Sequence, residues 1–77
     1  MGRKPIPKPS FLDDCEYLGF RSRREAMARK DRKRLYTWDA LHGEVEAFNA
    51  RGRHLGSFDP VTEELIKEPV QGRTIDV

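Results

Sequence analysis

SRREAMARKDRKR, Ser22–Arg34, sets the fold class expected of this chain. Ser22 and Glu25 have the S-x-x-E spacing of a helix capping box, and the residues after them are mostly good helix formers. Upstream, Ser10 offers a second N-cap, and Asp13 and Asp14 suit the positive end of a first turn. Phe11, Leu12, Cys15 and Leu18 fall at helical spacing, with Gly19 as a stop. Two short helices are therefore expected, at about residues 11–18 and 23–32, one with an apolar face and one with a basic surface. Before them, RKPIPKP (Arg3–Pro9) alternates proline with basic or apolar residues. It reads as an extended arm, either a leader or a ligand for an aromatic groove.

After Arg34 the period changes. LYTWD is short and aromatic, and GEVEAFN sets Glu44, Glu46 and Phe48 on one side against Val45 and Ala47 on the other. Asn49–Gly52 has the chemistry of a hairpin turn, with Gly52 at a position that needs positive φ. RHLGSFD is the returning strand, Asp59-Pro60 with Thr62 is a turn, LIKE is a short edge strand, and Arg73–Val77 adds a last one. The expected fold is α+β: short N-terminal helices followed by a twisted antiparallel sheet of about four strands. One domain results, divided into an arm (1–9), a helical segment (10–33) and a sheet region (34–77).

The totals narrow the function. Seventy-seven residues, 36% apolar and 36% charged, leave room for one thin core. The single cysteine, Cys15, excludes an internal disulfide and is expected to pack as a small apolar side chain. No apolar run approaches the ~20 residues of a membrane span, and the charged, proline-rich start is not a signal peptide. A cytoplasmic protein is expected, or a fragment of a larger secreted protein. The net charge of +2 hides an asymmetry: eleven Lys/Arg against five Asp/Glu in residues 1–38, then four against eight in 39–77. Most of the positive charge lies in Arg21, Arg23, Arg24, Arg29, Lys30, Arg32, Lys33 and Arg34. Such a cluster attracts polyanions, although a basic run is also what a solvated surface looks like.

Against that background DALHGEVE, Asp39–Glu46, is unexpected. It sets Asp39, His42, Glu44 and Glu46 at the junction of two strands, supplying an acid, a base and an orienting group. Acidic residues on an exposed strand face are ordinary, and Asp39, His42, Glu44 and His54 are also metal-ligand types, though without a recognised ligand spacing. Carboxylates repel phosphate, so they gain nothing for a simple polyanion binder. They make sense where a proton must be taken, and the 2′-hydroxyl of RNA is an internal nucleophile beside the scissile phosphate. Cleavage then needs a base, an acid and a cation, without a metal.

Tyr36-Thr-Trp-Asp39, His42-Gly-Glu44-Val-Glu46 and His54-Leu-Gly-Ser-Phe-Asp-Pro60 closely resemble the cytotoxic ribonuclease domain of the ribosome-inactivating colicins and cloacin. The resemblance covers about Arg32 to Ile75. It implies a metal-independent endoribonuclease that cuts small-subunit (16S) ribosomal RNA in the decoding A site. It also implies a catalytic set of Asp39, His42, Glu46 and Arg73, with Glu46 as base, His42 as acid, Asp39 orienting the histidine and Arg73 steadying the phosphate. Lys67 matches a lysine that contacts RNA, and Glu44 and Phe48 are accessory positions. Phe48 stands where the family has a tyrosine, so that hydroxyl has no counterpart here, and the Asn49–Arg53 hairpin is one residue shorter. The implied partners are the ribosome and a small acidic immunity or antitoxin protein, with no DNA and no cofactor.

Overall fold

The computed structural model describes residues 4–21 and 24–75. It is an antiparallel meander of six strands in chain order: β1 (Glu16–Arg21), β2 (Arg24–Ala28), β3 (Arg34–Asp39), β4 (Glu44–Asn49), β5 (His54–Phe58) and β6 (Leu65–Lys67). Among the described residues the only helical turn is a 3-10 turn, Phe11–Asp14. The expected α+β class with two N-terminal helices is thereby overturned, as is the count of about four strands.

The first expected helix begins as read and then stops. Ser10 Oγ accepts from the Leu12 N–H at 3.2 Å, and Asp13 Oδ2 accepts from the Ser10 N–H at 3.1 Å, so the capping box forms. At Cys15 the backbone is already extended (φ −94°, ψ 148°). Packing explains the stop. Phe11 and Leu12 join the apolar cluster of Tyr36, Val45 and Ala47, whereas Leu18 packs with Ala28, Leu35, Phe48 and Ile75. Neighbours on β4 (Ala47 and Phe48) belong to different clusters, so the two lie on opposite faces of the sheet. No single helical stripe could reach both. Gly19 (φ +86°) sits at a bulge in β1 rather than ending a helix.

The second expected helix is β2. Its Ala26, Met27 and Ala28 pair with Thr37, Tyr36 and Leu35 of β3, and both alanines are fully buried. Helix propensities among ordinary residues differ by no more than about 0.7 kcal/mol each. Pairing along β3 satisfies backbone groups that would otherwise form an open edge over buried side chains. The nonlocal pairing wins. Ser22 and Arg23, part of that expectation, lie outside the described residues. The rest of the run is the turn into β3, where Arg32 adopts φ +54° and the Lys33 N–H donates to Asp31 Oδ1 at 3.0 Å.

From β3 to β6 the strands and turns fall where the sequence placed them. Asn49 Oδ1 accepts from the N–H groups of Arg51 and Arg53, with Gly52 at φ +83°. Asp59 Oδ1 caps the next turn through the N–H groups of Val61 and Thr62. Where a last strand over Arg73–Val77 was expected, the described residues form a single bridge, Thr74 to Arg53, and Asp76 and Val77 lie outside them. Bonds from the His54 N–H to Arg73 O (3.0 Å) and the Ile75 N–H to Gly52 O (2.9 Å) lay the C-terminal segment beside β5.

Residues 4–9 of the arm form neither helix nor strand, bend at Lys8 and Pro9, and dock on the sheet, and residues 1–3 lie outside the described residues. The Lys4 N–H donates to Ala40 O at 2.7 Å, Trp38 Nε1–H donates to Lys4 O at 2.8 Å, and Ile6 packs against the core. Half-buried Cys15 also packs there, and burial pushes its thiol pKa up.

Candidate active site

The register of β3, β4 and β5 builds one polar row. Glu46 lies between Thr37 and Ser57, and Ser57 pairs in turn with Lys67. Glu44 lies opposite Asp39, one step along the same face. That step is ~7 Å for two residues of strand.

Glu46 is only 3% exposed. Arg73 Nη1 donates to its Oε1 at 2.6 Å, and Arg24 Nη1 donates to Oε2. Both guanidiniums are about half exposed, so the carboxylate is enclosed while its cations face solvent. Arg24 arrives because β2 is a strand and points this residue to the same face as Ala26. Arg73 arrives because its carbonyl is bonded to His54 on the rim of β5. The side chain of His54 is buried on the same carboxylate, with Nε2 3.3 Å from Oε1. Burial first of all, and then the charges of Arg73 and Arg24, hold its pKa below the ordinary histidine value against the opposing pull of Glu46.

Asp39 and His42 form the second pair. His42 Nδ1 lies 2.8 Å from Asp39 Oδ2, and Asp39 Oδ1 accepts the N–H groups of Leu41 and His42, each at 3.1 Å. With Nδ1 bonded to the carboxylate, Nε2 is the free end of this exposed ring. Partial burial pushes the Asp39 carboxyl up, but the bonds from His42 and Leu41 outweigh it and hold the pKa below the usual range. The arm braces the turn: Lys4 binds Ala40, and a Cβ on Gly43 (φ +70°) would lie 2.8 Å from Lys4 Cδ.

The structure thus brings Glu46, Arg73 and Arg24 into contact and sets Asp39 with His42 on the same face. Lys67 Nζ pairs with Glu44 Oε1 at 3.1 Å. Three carboxylates (Asp39, Glu44, Glu46) stand among three cations (Arg24, Lys67, Arg73), so the row does not present bare negative charge to a polyanion. Phe48 is not at the surface of the site; it is core, 2% exposed, with its ring tilted on His54 at 5.3 Å.

The basic run divides. Arg29 pairs with Glu63 at 3.0 Å and lies over the rings of Phe11 and Tyr36. Arg32 pairs with Glu16 at 2.7 Å, and Arg21 Nη1 donates to Phe20 O. Lys30, Lys33 and Arg34 are exposed, and Arg23 lies outside the described residues. Among the described residues no three His, Cys, Asp or Glu side chains gather as a metal site. Sequence reasoning placed Arg24 only in a basic surface, and named His54 only as a possible metal-ligand type and as part of the HLGSFDP block. Arg24 is in phase with the Glu46 face through the register of β2 and β3, whereas His54 reaches that face only through the register shift between β4 and β5, which no residue pattern announces.

Comparison with known proteins bears on this geometry. The family model described as Cytotoxic matches residues 18–76. This chain belongs to that family, the cytotoxic ribonuclease domain of the colicins. It is 41% identical to colicin E3 of Escherichia coli over 69 residues, 88% of this chain and 12% of that protein. Cloacin of Escherichia coli is 49% identical over 47 residues, covering 58% of this chain and 8% of its own length. Colicin E6 of Escherichia coli is 46% identical over 44 residues, with 56% and 8% covered. The chain therefore spans about an eighth or less of these Cytotoxic-family relatives. No described helix is long and apolar enough to cross a membrane.

Proposed function

We propose that this Cytotoxic domain is a metal-independent endoribonuclease that cuts small-subunit (16S) ribosomal RNA at the decoding A site and so stops translation. The observation that carries the reading is the enclosed Glu46 carboxylate, held between two half-exposed guanidiniums on the face that also bears Asp39 and His42. An ion pair serving stability alone gains little from such placement. A base that must meet a phosphodiester gains two cations beside it.

In this mechanism Glu46 takes the proton of the 2′-hydroxyl, and O2′ attacks phosphorus. His42 Nε2 gives a proton to the departing O5′ as the P–O5′ bond breaks, and Asp39 keeps the ring turned outward. Arg73, with Arg24 beside it, offsets the charge that builds on the phosphorane. The products are a 2′,3′-cyclic phosphate and a free 5′-hydroxyl. Lys67 and the exposed Lys30, Lys33 and Arg34 attract the RNA backbone. The partners are the cytoplasmic ribosome and an acidic immunity or antitoxin protein.

The test is to incubate ribosomes with the protein, with and without EDTA, and map new ends in the 16S RNA. One cut ending in a cyclic phosphate is expected under both conditions, slowed ~10²–10⁴-fold by His42→Ala. Binding that weakens with salt but leaves the RNA whole would mark a binding module instead.

A further inference from the structure

That mechanism leaves a buried histidine on the polar face without a task. The His54 side chain is 1% exposed, and its ring rests on Phe48. Its Nδ1 accepts the Val70 N–H at 2.9 Å. A ring nitrogen that accepts carries no proton, so the neutral ring holds its proton on Nε2. Nε2 lies 3.3 Å from Glu46 Oε1 but makes no well-aligned hydrogen bond to any described residue. The oxygen it faces is already bonded to Arg73. Buried donors without an acceptor are costly, and a native fold retains them where they serve a purpose.

Arg73 has two demands on it: it holds Oε1 in the structure, and in the proposed reaction it steadies a phosphate. Its side chain is 46% exposed, against 4% for that of Glu46, so the guanidinium is free to turn outward while the carboxylate is not. We infer that His54 is a positioning residue for Glu46, an inference that rests on reading Glu46 as the base. When the scissile phosphate draws Arg73 outward, Nε2–H of His54 takes over Oε1 and keeps the carboxylate oriented. Both ring nitrogens are then committed, one to Val70 and one to Glu46, so His54 moves no proton itself. Phe48 and the Val70 amide fix the ring for this exchange.

Two substitutions separate the ring's two jobs. The amide nitrogen of His54→Gln reaches the place of Nε2, whereas His54→Asn keeps an acceptor for Val70 and loses the donor to Glu46. Single-turnover cleavage of ribosomes is expected to fall up to about 100-fold in His54→Asn, the scale of a misplaced catalytic group, and to be largely retained in His54→Gln. Imidazole 15N NMR of the intact protein supplies a readout free of activity, and its tautomer is read on the wild-type chain. It should show the Nε2–H tautomer, with the Nε2 resonance moving on Glu46→Gln. An Nδ1–H tautomer, or a His54→Asn protein as fast as wild type, would overturn the role of His54 while leaving the ribonuclease reading intact. Ribosomal RNA left whole by the wild-type protein would sink that reading, and this inference with it.

Discussion

On the face of the sheet covered by the N-terminal segment, Phe11, Leu12, Tyr36, Val45 and Ala47 bury one another, with Met27, Trp38, Leu55 and Phe58 around them. On the other face the same strands bury Thr37, Glu46, His54 and Ser57, which are all the buried polar residues described. Only one end of that face is apolar, where Leu35 and Phe48 meet Ala28 and Ile75. β4 feeds both sides by alternation, Val45 and Ala47 to one and Glu46 and Phe48 to the other. A strand with four consecutive buried residues would ordinarily be an apolar run; here one of the four is a carboxylate. One face carries folding, and the other uses burial to hold a charge still.

Substituting one residue on each face tests this division of labour most directly. Glu46→Gln should lower ribosomal RNA cleavage by ~10²–10⁴-fold, the usual worth of one acid–base group. Its effect on stability should stay within about 1 kcal/mol, because the stranded Arg24 and Arg73 are half exposed and water can solvate them. Phe11→Ala should do the reverse. It removes a ring that meets Tyr36 edge-on at 5.1 Å and lies under Arg29 at 5.5 Å. A loss of ~3–5 kcal/mol is expected for a buried phenylalanine, with the specific activity of the folded fraction unchanged. Urea unfolding paired with cleavage assays reads both. A Glu46→Gln protein that unfolds like Phe11→Ala would erase the distinction between the faces.

A smaller effect is expected where β6 joins the polar row. Gly56 has φ +127°, and a Cβ there would lie 2.6 Å from Lys67 O and 2.7 Å from Leu65 Cδ1. Gly56→Ala must therefore push β6 away and draw Lys67 from Glu44. A cost of ~1–3 kcal/mol is expected from the strained backbone, together with a flatter salt dependence of RNA affinity if Lys67 contacts phosphate. An unchanged urea midpoint would show that β6 rides loosely on β5.

The same contrast explains what could be read from the letters. The alternation of β3 to β5 and the Asn49–Gly52 turn are local, and they were legible. So was the Asp39–His42 pair, three residues apart. β1 and β2 were not, because their residues favour a helix locally and become strands only by pairing with β3. Arg73 was placed through family resemblance, since nothing in residues 68–75 alone points to Glu46. Arg24 and His54 reach the carboxylate only through cross-strand register and the docking of the C-terminal segment. Composition carries no trace of either.

The gentlest test of the polar face is its response to acid. His54 is held below the ordinary histidine value chiefly by burial, and the groups facing it are Glu46, Arg73 and Arg24. An unfolded histidine titrates near pH 6.5. Below that pH the unfolded chain binds a proton that the native ring resists, so native stability falls as pH drops through 6.5 toward the lower folded value. Asp39 has the same sign in a lower window. Its depressed pKa contributes stability that is present above an unfolded value of about 3.9 and is lost as pH falls below it. The apolar face titrates nowhere in this range. Urea midpoints across pH 3–8 should therefore decline in two stages, the first removed by His54→Gln and the second reduced by Asp39→Asn. A His54→Gln protein that keeps the decline beginning below pH 6.5 would mean that another group produces it and that the buried imidazole does not resist its proton, so that this face tolerates a charge its geometry is built to keep out.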